Sequence, residues 1–347
     1  MARNRRPSRK YLSPATEQPM TETVGNSKHA RFPQWLKITL GALIVVASFY
    51  FLITRLIHDW NQIPFRQLRF RPFPLIISFA IIFALHFPLY AYAWKLLLAG
   101  FGEKISTMKS ITIMSVTQIG KYIPGKVWFT LGRISLANRE GIAKTKGLVS
   151  VLVEAGFALL SAVLLLAVAV FFLPRSNLPK TVYLLFLLAP LCLVVIYPPV
   201  LNRILAFLLR KLKRPTFKLE LSYPRLLYIL AIYCLDWFSQ ALGCFILINS
   251  FYRLPLRSLP ILVGGYSVSW ILGFLSLVTP AGLGIREGIY TFALKLIMLE
   301  PMAIVSALLT RIWITIAEFI MALAFALFLS KRKKYAKKKT NPNRPSK

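Results

Sequence analysis

Basic residues lie beside two interruptions in otherwise apolar parts of the chain. The first interruption, KYIPGK, contains Lys121 and Lys126, and the second, TPAGLGIRE, contains Arg286. Proline and glycine disfavour helix interiors, so each interruption creates a new helix N-terminus whose free N–H groups and positive dipole end favour phosphate. The chemistry that these residues favour is therefore anion binding, and in an apolar setting the ligand is the anionic headgroup of a lipid.

A second interpretation of the first interruption stays open. Lys121 and Lys126 also suit the tip of a hairpin that rests at the cytoplasmic membrane interface, where lysine side chains extend towards water without binding any ligand. Only the relation of this segment to the rest of the chain distinguishes the two interpretations.

Charged residues also lie inside the apolar stretches, namely Glu154, Asp236, Arg311 and Glu318. Such a residue costs about 2.5 to 3.5 kcal/mol on insertion scales and usually faces the interior of a helix bundle. Arg311 and Glu318 are two helical turns apart on one face, which suits a shared groove better than a direct pair. For Glu154 and Arg311, a place on a ligand pathway and an ion pair with another helix are both open, whereas Asp236 favours a structural role.

The sequence predicts no catalytic residue, no metal site and no cofactor. The histidines are isolated, and the cysteines lie inside apolar stretches. The sequence contains no recognisable pair of nucleophile and base and no phosphate-binding loop of the P-loop type. An enzyme embedded in the membrane could use Glu154 or Glu287, but their spacing indicates no particular reaction.

The elements that carry these residues are apolar enough to cross a bilayer. Of all residues, 56% are apolar, and none of the apolar stretches shows the strict alternation of a barrel strand. A helical crossing needs about 20 apolar residues, so the sequence predicts an all-α polytopic transmembrane helix bundle of about eight spans. The clearest spans are 36–57, 73–100, 148–173, 181–201, 226–251, 259–278 and 302–329.

Two elements of this bundle are predicted to be re-entrant or broken. Residues 106–132 and 278–287 each combine an apolar helical half, a proline–glycine break and basic residues. Irregular backbone at membrane depth is tolerated only where protein or a water-filled cavity surrounds it. Paired broken segments in two halves of a chain point to a transport site near the membrane midplane, so we predict that both breaks border one polar pocket.

Basic residues dominate the charge of the chain, with 44 Lys and Arg against 11 Asp and Glu. They are spread over tails and short loops with no folded soluble domain to present them, which argues against nucleic-acid binding. The positive-inside rule places both termini in the cytoplasm and residues 174–180 outside. We therefore predict a multi-pass protein of the cell membrane with a disordered basic tail at 1–35, a membrane domain at 36–330 and a second basic tail at 331–347.

Two further patterns predict packing. In 202–225, leucine and isoleucine recur at helical spacing opposite arginine and lysine, which indicates an amphipathic helix on the cytoplasmic side. Gly265, Ser269 and Gly273 recur every four positions and predict close contact with another helix.

Several short motifs together resemble one family. GKYIPGKVWFTLGR followed by VEAG, TPAGLGIREG followed by LLTRIW, and AWKLLLAGFG resemble the membrane region of lysylphosphatidylglycerol synthases and related stand-alone flippase-like proteins. The resemblance covers 36–329 and implies a helix bundle that binds and translocates phospholipid or lipid-linked headgroups between leaflets. The positions that match the family motifs are Gly120, Lys121, Pro124, Gly125, Lys126, Arg133, Glu154, Pro280, Gly282, Gly284, Glu287 and Arg311. Arg286 and Glu318 join this candidate lipid site through the charge arguments above.

The sequence departs from the family pattern in two ways. The synthases carry a soluble aminoacyl-transferase domain after the membrane region, and this sequence stops at Lys347, so lysyl transfer by this chain alone is not expected. TPAG also stands where many relatives have a Pro-Gly-Gly run. Stand-alone members resemble proteins of lipid-linked sugar, hopanoid and carotenoid pathways, which leaves the lipid open.

A different function class therefore remains as an alternative. The chain could be a membrane enzyme, or the membrane subunit of an enzyme, that modifies phospholipid or polyprenyl-linked headgroups. Its partners would then include a separate glycosyltransferase or aminoacyl transferase in addition to membrane lipids.

Overall fold

The described part of the chain is entirely helical. The structure, a computed structural model, describes residues 50, 54, 57, 70–123, 127–172, 185–276 and 279–340, and no strand occurs among them. The predicted all-α class is therefore confirmed, whereas most of the predicted span 36–57 and the tail 1–35 lie outside the described residues. The α-helices are α1 (Pro72–Ile81), α2 (Phe87–Gly100), α3 (Thr107–Gln118), α4 (Val127–Arg139), α5 (Lys144–Phe171), α6 (Leu185–Val195), α7 (Pro198–Lys211), α8 (Tyr223–Asn249), α9 (Leu259–Leu275), α10 (Ile285–Leu294) and α11 (Glu300–Thr340).

Within the described ranges, five helical stretches are long and apolar enough to cross a membrane. They are Pro72–Gly100, Lys144–Phe171, Tyr223–Asn249, Leu256–Leu275 and Glu300–Leu329. The first of these joins α1 and α2 through a π-helical turn at Ile82–His86. Helices α6 and α7 make a sixth crossing if the bent pair counts as one span.

The predicted span 181–201 is not one straight helix. Helix α6 ends at Val195, and α7 begins at Pro198 at an angle of 76°. Proline lacks the N–H that would continue the preceding helix, and it is favoured in the first turn of the next one. The expected amphipathic helix is present in α7, where Leu205 and Leu209 are buried and Arg210 is exposed.

Helices α3 and α4 form a first hairpin (107–139). With 12 and 13 residues they are about 18 to 20 Å long, which is too short to cross a hydrocarbon core of about 30 Å. A Cβ on Gly120 would lie 2.7 Å from the backbone N of Phe129, and one on Gly132 would lie 3.4 Å from Cγ2 of Thr117. The end of α3 therefore contacts the start of α4, so the chain reverses at the first break as predicted.

Helices α9 and α10 form a second hairpin (259–294) around the second break, so the chain turns back after α9 although Leu256–Leu275 has the length and composition of a crossing. Glycines of α9 allow close contact, because a Cβ on Gly265 would lie 2.5 Å from Cβ of Ala293. This contact confirms the predicted close packing at Gly265. The break itself uses left-handed backbone at Gly282 and Gly284, with φ of 71° and 82°, and also at Ala281, with φ of 51°. Ala281 thus takes a conformation that favours glycine.

The tips of the two hairpins meet beside the middle of α11. Arg311 Nη2 donates to the carbonyl oxygen of Ala281 at 3.1 Å, whereas Tyr122 at the first tip donates to Glu318 Oε2 at 2.8 Å. Helices α10 and α3 both pack against α11. Leu294 at the end of α10 lies in one core cluster with Met302 near the start of α11 and with Leu254 after the end of α8, whereas Gly100, before the first hairpin, accepts a hydrogen bond from the N–H of Glu220, before the start of α8. The two hairpins therefore approach from opposite ends of α11, and their tips contact each other.

Candidate functional site

A cavity of about 260 Å³ lies where the two hairpin tips meet. Besides aromatic residues from α2, α8 and α9, its lining includes six charged side chains, namely Lys121, Glu154, Asp236, Arg286, Arg311 and Glu318. We call this space the charged cavity. Helices from both halves of the chain border it, so residues far apart in sequence become neighbours.

Lys121 is paired rather than free. Its ammonium group donates to Oε1 of buried Glu318, and Tyr122 donates to the second oxygen of the same carboxylate at 2.8 Å. The part-buried lysine therefore joins the first hairpin tip to α11 through a buried carboxylate. This position differs from the interpretation in which Lys121 rests at the cytoplasmic interface.

Glu287 contacts its own hairpin and α11 at once. Its Oε2 accepts a hydrogen bond from the N–H of Gly284 at 2.6 Å, which caps α10. Its Oε1 lies 3.1 Å from Nε of Arg311. The expectation that the start of α10 offers free N–H groups to an anion therefore fails at Gly284, because the chain supplies its own carboxylate there.

Arg133 and Glu154 form an ion pair between α4 and α5. Arg133 Nη1 donates to Glu154 Oε2, and both side chains are buried. The guanidinium also lies over the rings of Phe129 and Trp94, at 4.3 and 5.4 Å from their centroids. Glu154 lines the charged cavity, but its charge is already balanced by a neighbouring helix.

Arg286 differs from the other cations of the charged cavity. Among the described residues it has no ion pair and no hydrogen bond, and its buried Nε is unpartnered. Its guanidinium lies 5.7 Å from the ring centroid of Trp270, and its side chain fills the space beside Gly273, where a Cβ would come within 2.5 Å of Cγ. Gly273 therefore makes room for Arg286 in addition to packing helices.

A hydrogen-bonded chain of polar residues forms another part of the lining. His86 Nδ1 lies 2.7 Å from Asp236 Oδ1, Gln240 donates to Asp236 Oδ2 at 3.1 Å, and Tyr266 donates to Gln240 Oε1 at 3.2 Å. His86 ends the π-helical turn, a feature that is frequent at functional sites. Sequence reasoning treated this histidine as isolated, although Pro88 two residues later signals a local helix irregularity.

The structure brings most candidate residues together. Lys121, Glu154, Arg286, Arg311 and Glu318 line the charged cavity, and their ion-pair partners Arg133 and Glu287 lie next to it. Gly120, Gly282 and Gly284 form the breaks at its edge. Pro124, Gly125 and Lys126 lie outside the described residues, as does the side chain of Pro280.

This arrangement defines a class of protein, and a family comparison agrees with it. A bundle of membrane-crossing helices in which two short hairpins meet around a charged cavity is a polytopic membrane protein with an internal polar site. The chain belongs to the family described as the lysylphosphatidylglycerol synthase TM region, which matches residues 34–326. The match includes both hairpins and confirms the resemblance. No curated protein matches the chain.

Proposed function

We propose that this integral membrane protein binds the anionic headgroup of a membrane lipid in the charged cavity and moves it between the two leaflets. The observation that carries the proposal is Arg286, a cation that has no carboxylate partner within the described part of the chain. An unpaired charge away from water costs several kcal/mol. A phosphate oxygen would supply the missing partner, and guanidinium suits phosphate because it donates two parallel hydrogen bonds.

The other charges of the cavity already have partners, which directs a ligand towards Arg286. The pairs are Lys121 with Glu318, Arg311 with Glu287, Glu154 with Arg133, and Asp236 with His86. A lipid with a single phosphodiester charge fits this arrangement better than a strongly acidic one, because additional negative charge would face carboxylates.

Translocation is supported by the way the hairpins meet. Two short hairpins that approach from opposite ends of α11 leave their tips, and the charged cavity, part-way along a membrane-crossing helix. Sites near the midplane between broken helices are the usual arrangement in transporters that open alternately to either side.

Reconstitution in liposomes tests the proposal. Proteoliposomes that contain labelled phosphatidylglycerol, phosphatidylcholine or a lipid-linked sugar would report movement of each headgroup to the opposite leaflet. We expect headgroup-dependent translocation by the parent protein and its loss in Arg286→Gln. Equal rates for every lipid, or rates no higher than in protein-free liposomes, would refute the proposal.

A further inference from the structure

A second cavity, of about 160 Å³, lies between α5, α6 and α7. We call it the apolar groove, because its lining consists of glycine, phenylalanine and aliphatic residues. Gly156 of α5, Ile196 at the end of α6, and Leu205 and Leu209 of α7 are among them. A cavity of similar size that is lined by Leu, Ile and Phe stays dry and binds benzene. The groove is therefore suited to hydrocarbon.

The apolar groove and the charged cavity are neighbours across one helix. Leu152 of α5 lines both spaces and is 43% exposed. On one side of it Glu154 and Ala155 face the charged cavity, and on the other side Val153 and Gly156 face the groove. Leu152 is thus the residue at which the charged cavity and the groove adjoin.

We propose that a single lipid molecule occupies both spaces, with its phosphate beside Arg286 and a hydrocarbon chain in the apolar groove. This inference rests on the proposed function and adds that the protein binds a hydrocarbon chain of the lipid as well as its headgroup. The chemistry of the two linings is complementary to the two ends of such a lipid, and their contact at Leu152 allows one molecule to span them.

Binding of the headgroup and binding of the hydrocarbon chain must then depend on each other. A lipid chain gains little hydrophobic free energy when it leaves the bilayer for an apolar groove, because both surroundings are apolar. Bound phosphate raises the effective concentration of its own chain beside the groove. Occupancy of the groove should therefore fall when the headgroup site is lost.

Photolabelling measures this dependence. The full-length protein is reconstituted in phosphatidylcholine liposomes with phosphatidylglycerol that carries a photoreactive group on its acyl chain, and labelled peptides are mapped by mass spectrometry. We expect labels on residues 149–160 and 196–212 in the parent protein. Arg286→Gln should reduce them tens of fold, in proportion to the loss of a charge-assisted hydrogen bond. Arg210→Gln, an exposed arginine of α7, should leave them unchanged.

The outcomes separate the inference from the proposed function. If Arg286→Gln loses headgroup binding but keeps the labels, bulk bilayer lipid fills the groove and the inference is wrong. If labelling falls in Arg210→Gln alone, the headgroup lies on the basic face of α7, which also overturns the inference. If Arg286→Gln binds the headgroup as the parent does, the proposed function itself fails at this site.

A groove-filling variant tests the chain end separately. Gly156 lines the groove and a Cβ on it meets no atom within 4 Å, so Gly156→Leu extends a side chain from open space into the groove. In the parent protein we expect dihexanoyl-phosphatidylglycerol to bind more tightly than glycerophosphoglycerol, by about fourfold for each methylene group buried. Gly156→Leu should remove this preference and keep binding of the chain-free probe.

Gly288→Leu is the matched control. Gly288 is also a helical glycine with open space around it, but it lines neither the charged cavity nor the groove. The control should keep the preference for the probe with chains. If Gly156→Leu keeps that preference as well, the chain binds elsewhere and the inference fails.

Discussion

Arg286 supplies a positive charge and a planar guanidinium group, and two substitutions separate these properties. Arg286→Gln removes the charge, and we expect it to weaken phosphatidylglycerol binding by about 1.5 to 3 kcal/mol, the range for hydrogen bonds to charged groups. Arg286→Lys keeps the charge but loses the planar fork, so its loss should be smaller. Lipid binding by purified variants in detergent measures both effects, with the folded fraction checked in parallel.

The control for this series is Arg210→Gln. Arg210 is exposed on α7, away from the charged cavity, and its substitution should leave binding unchanged. Equal binding by Arg286→Gln and the parent would mean that the second break has an architectural role only.

The Lys121–Glu318 pair predicts a different pattern, because the carboxylate is buried and its cation is part-buried. Lys121→Gln leaves the buried carboxylate without its cation, and we expect a loss of about 1 to 3 kcal/mol in the free energy of unfolding. The double variant Lys121→Gln with Glu318→Gln removes both charges and should recover most of that stability. Circular dichroism during unfolding in detergent measures the free energies of unfolding of the parent, the single variant and the double variant.

Headgroup binding by the double variant then assigns the role of Lys121. If the double variant is stable and still binds the headgroup, the lysine only holds the first hairpin against α11. Recovery of stability without binding indicates that the lysine also contacts the ligand. A single variant as stable as the parent would contradict the buried pair.

At the scale of elements, Gly120 is the position where the first hairpin closes. A Cβ there would lie 2.7 Å from the N and 2.9 Å from the Cα of Phe129, and backbone atoms cannot move aside as a flexible side chain does. We expect Gly120→Ala to separate α3 from α4 and to destabilise the protein by about 1 to 3 kcal/mol. Thermal unfolding in detergent measures the change.

Gly288→Ala provides the comparison, since no atom lies within 4 Å of its added Cβ. Alanine stabilises a helix by about 1 kcal/mol relative to glycine, so this control should be neutral or more stable. A Gly120→Ala protein as stable as this control would show that the hairpin tolerates separation of its two arms.

At the scale of the whole molecule, two hairpins that approach from opposite ends of α11 should begin at opposite membrane faces. The first hairpin follows a loop with exposed Lys104, and the second is followed by exposed Lys295. With cytoplasmic termini, Lys104→Cys should react with an impermeant thiol reagent only from the cytoplasmic side, and Lys295→Cys only from outside. Labelling of inverted and right-side-out vesicles measures this, with the parent protein as blank.

Reporter fusions test the same topology independently. We expect reporters placed before Trp35 and after Lys347 to indicate the cytoplasm, and one within 174–180 to indicate the outside, because basic residues concentrate in the tails. If both engineered cysteines react from one side, the hairpins share an entrance and the midplane position of the cavity is wrong.

The sequence by itself determined the class of fold, the two breaks and the amphipathic helix of α7. These features depend on local properties, namely the length of apolar stretches, the missing N–H of proline, the spacing of leucines and the backbone freedom of glycine. Candidate charges could be named for the same reason, since any ionisable residue in an apolar stretch needs a partner or a polar space.

Only the tertiary structure decided which charge pairs with which. Lys121 meets Glu318 across 197 residues and His86 meets Asp236 across 150, and no local pattern specifies such contacts. The bend at Pro198 is also visible only in the structure, since the sequence predicted one span over 181–201. The assembled bundle pairs Lys121 with Glu318 and leaves Arg286 without an ion pair among the described residues. This distinction depends on distances between helices, which residue spacing along the chain does not contain.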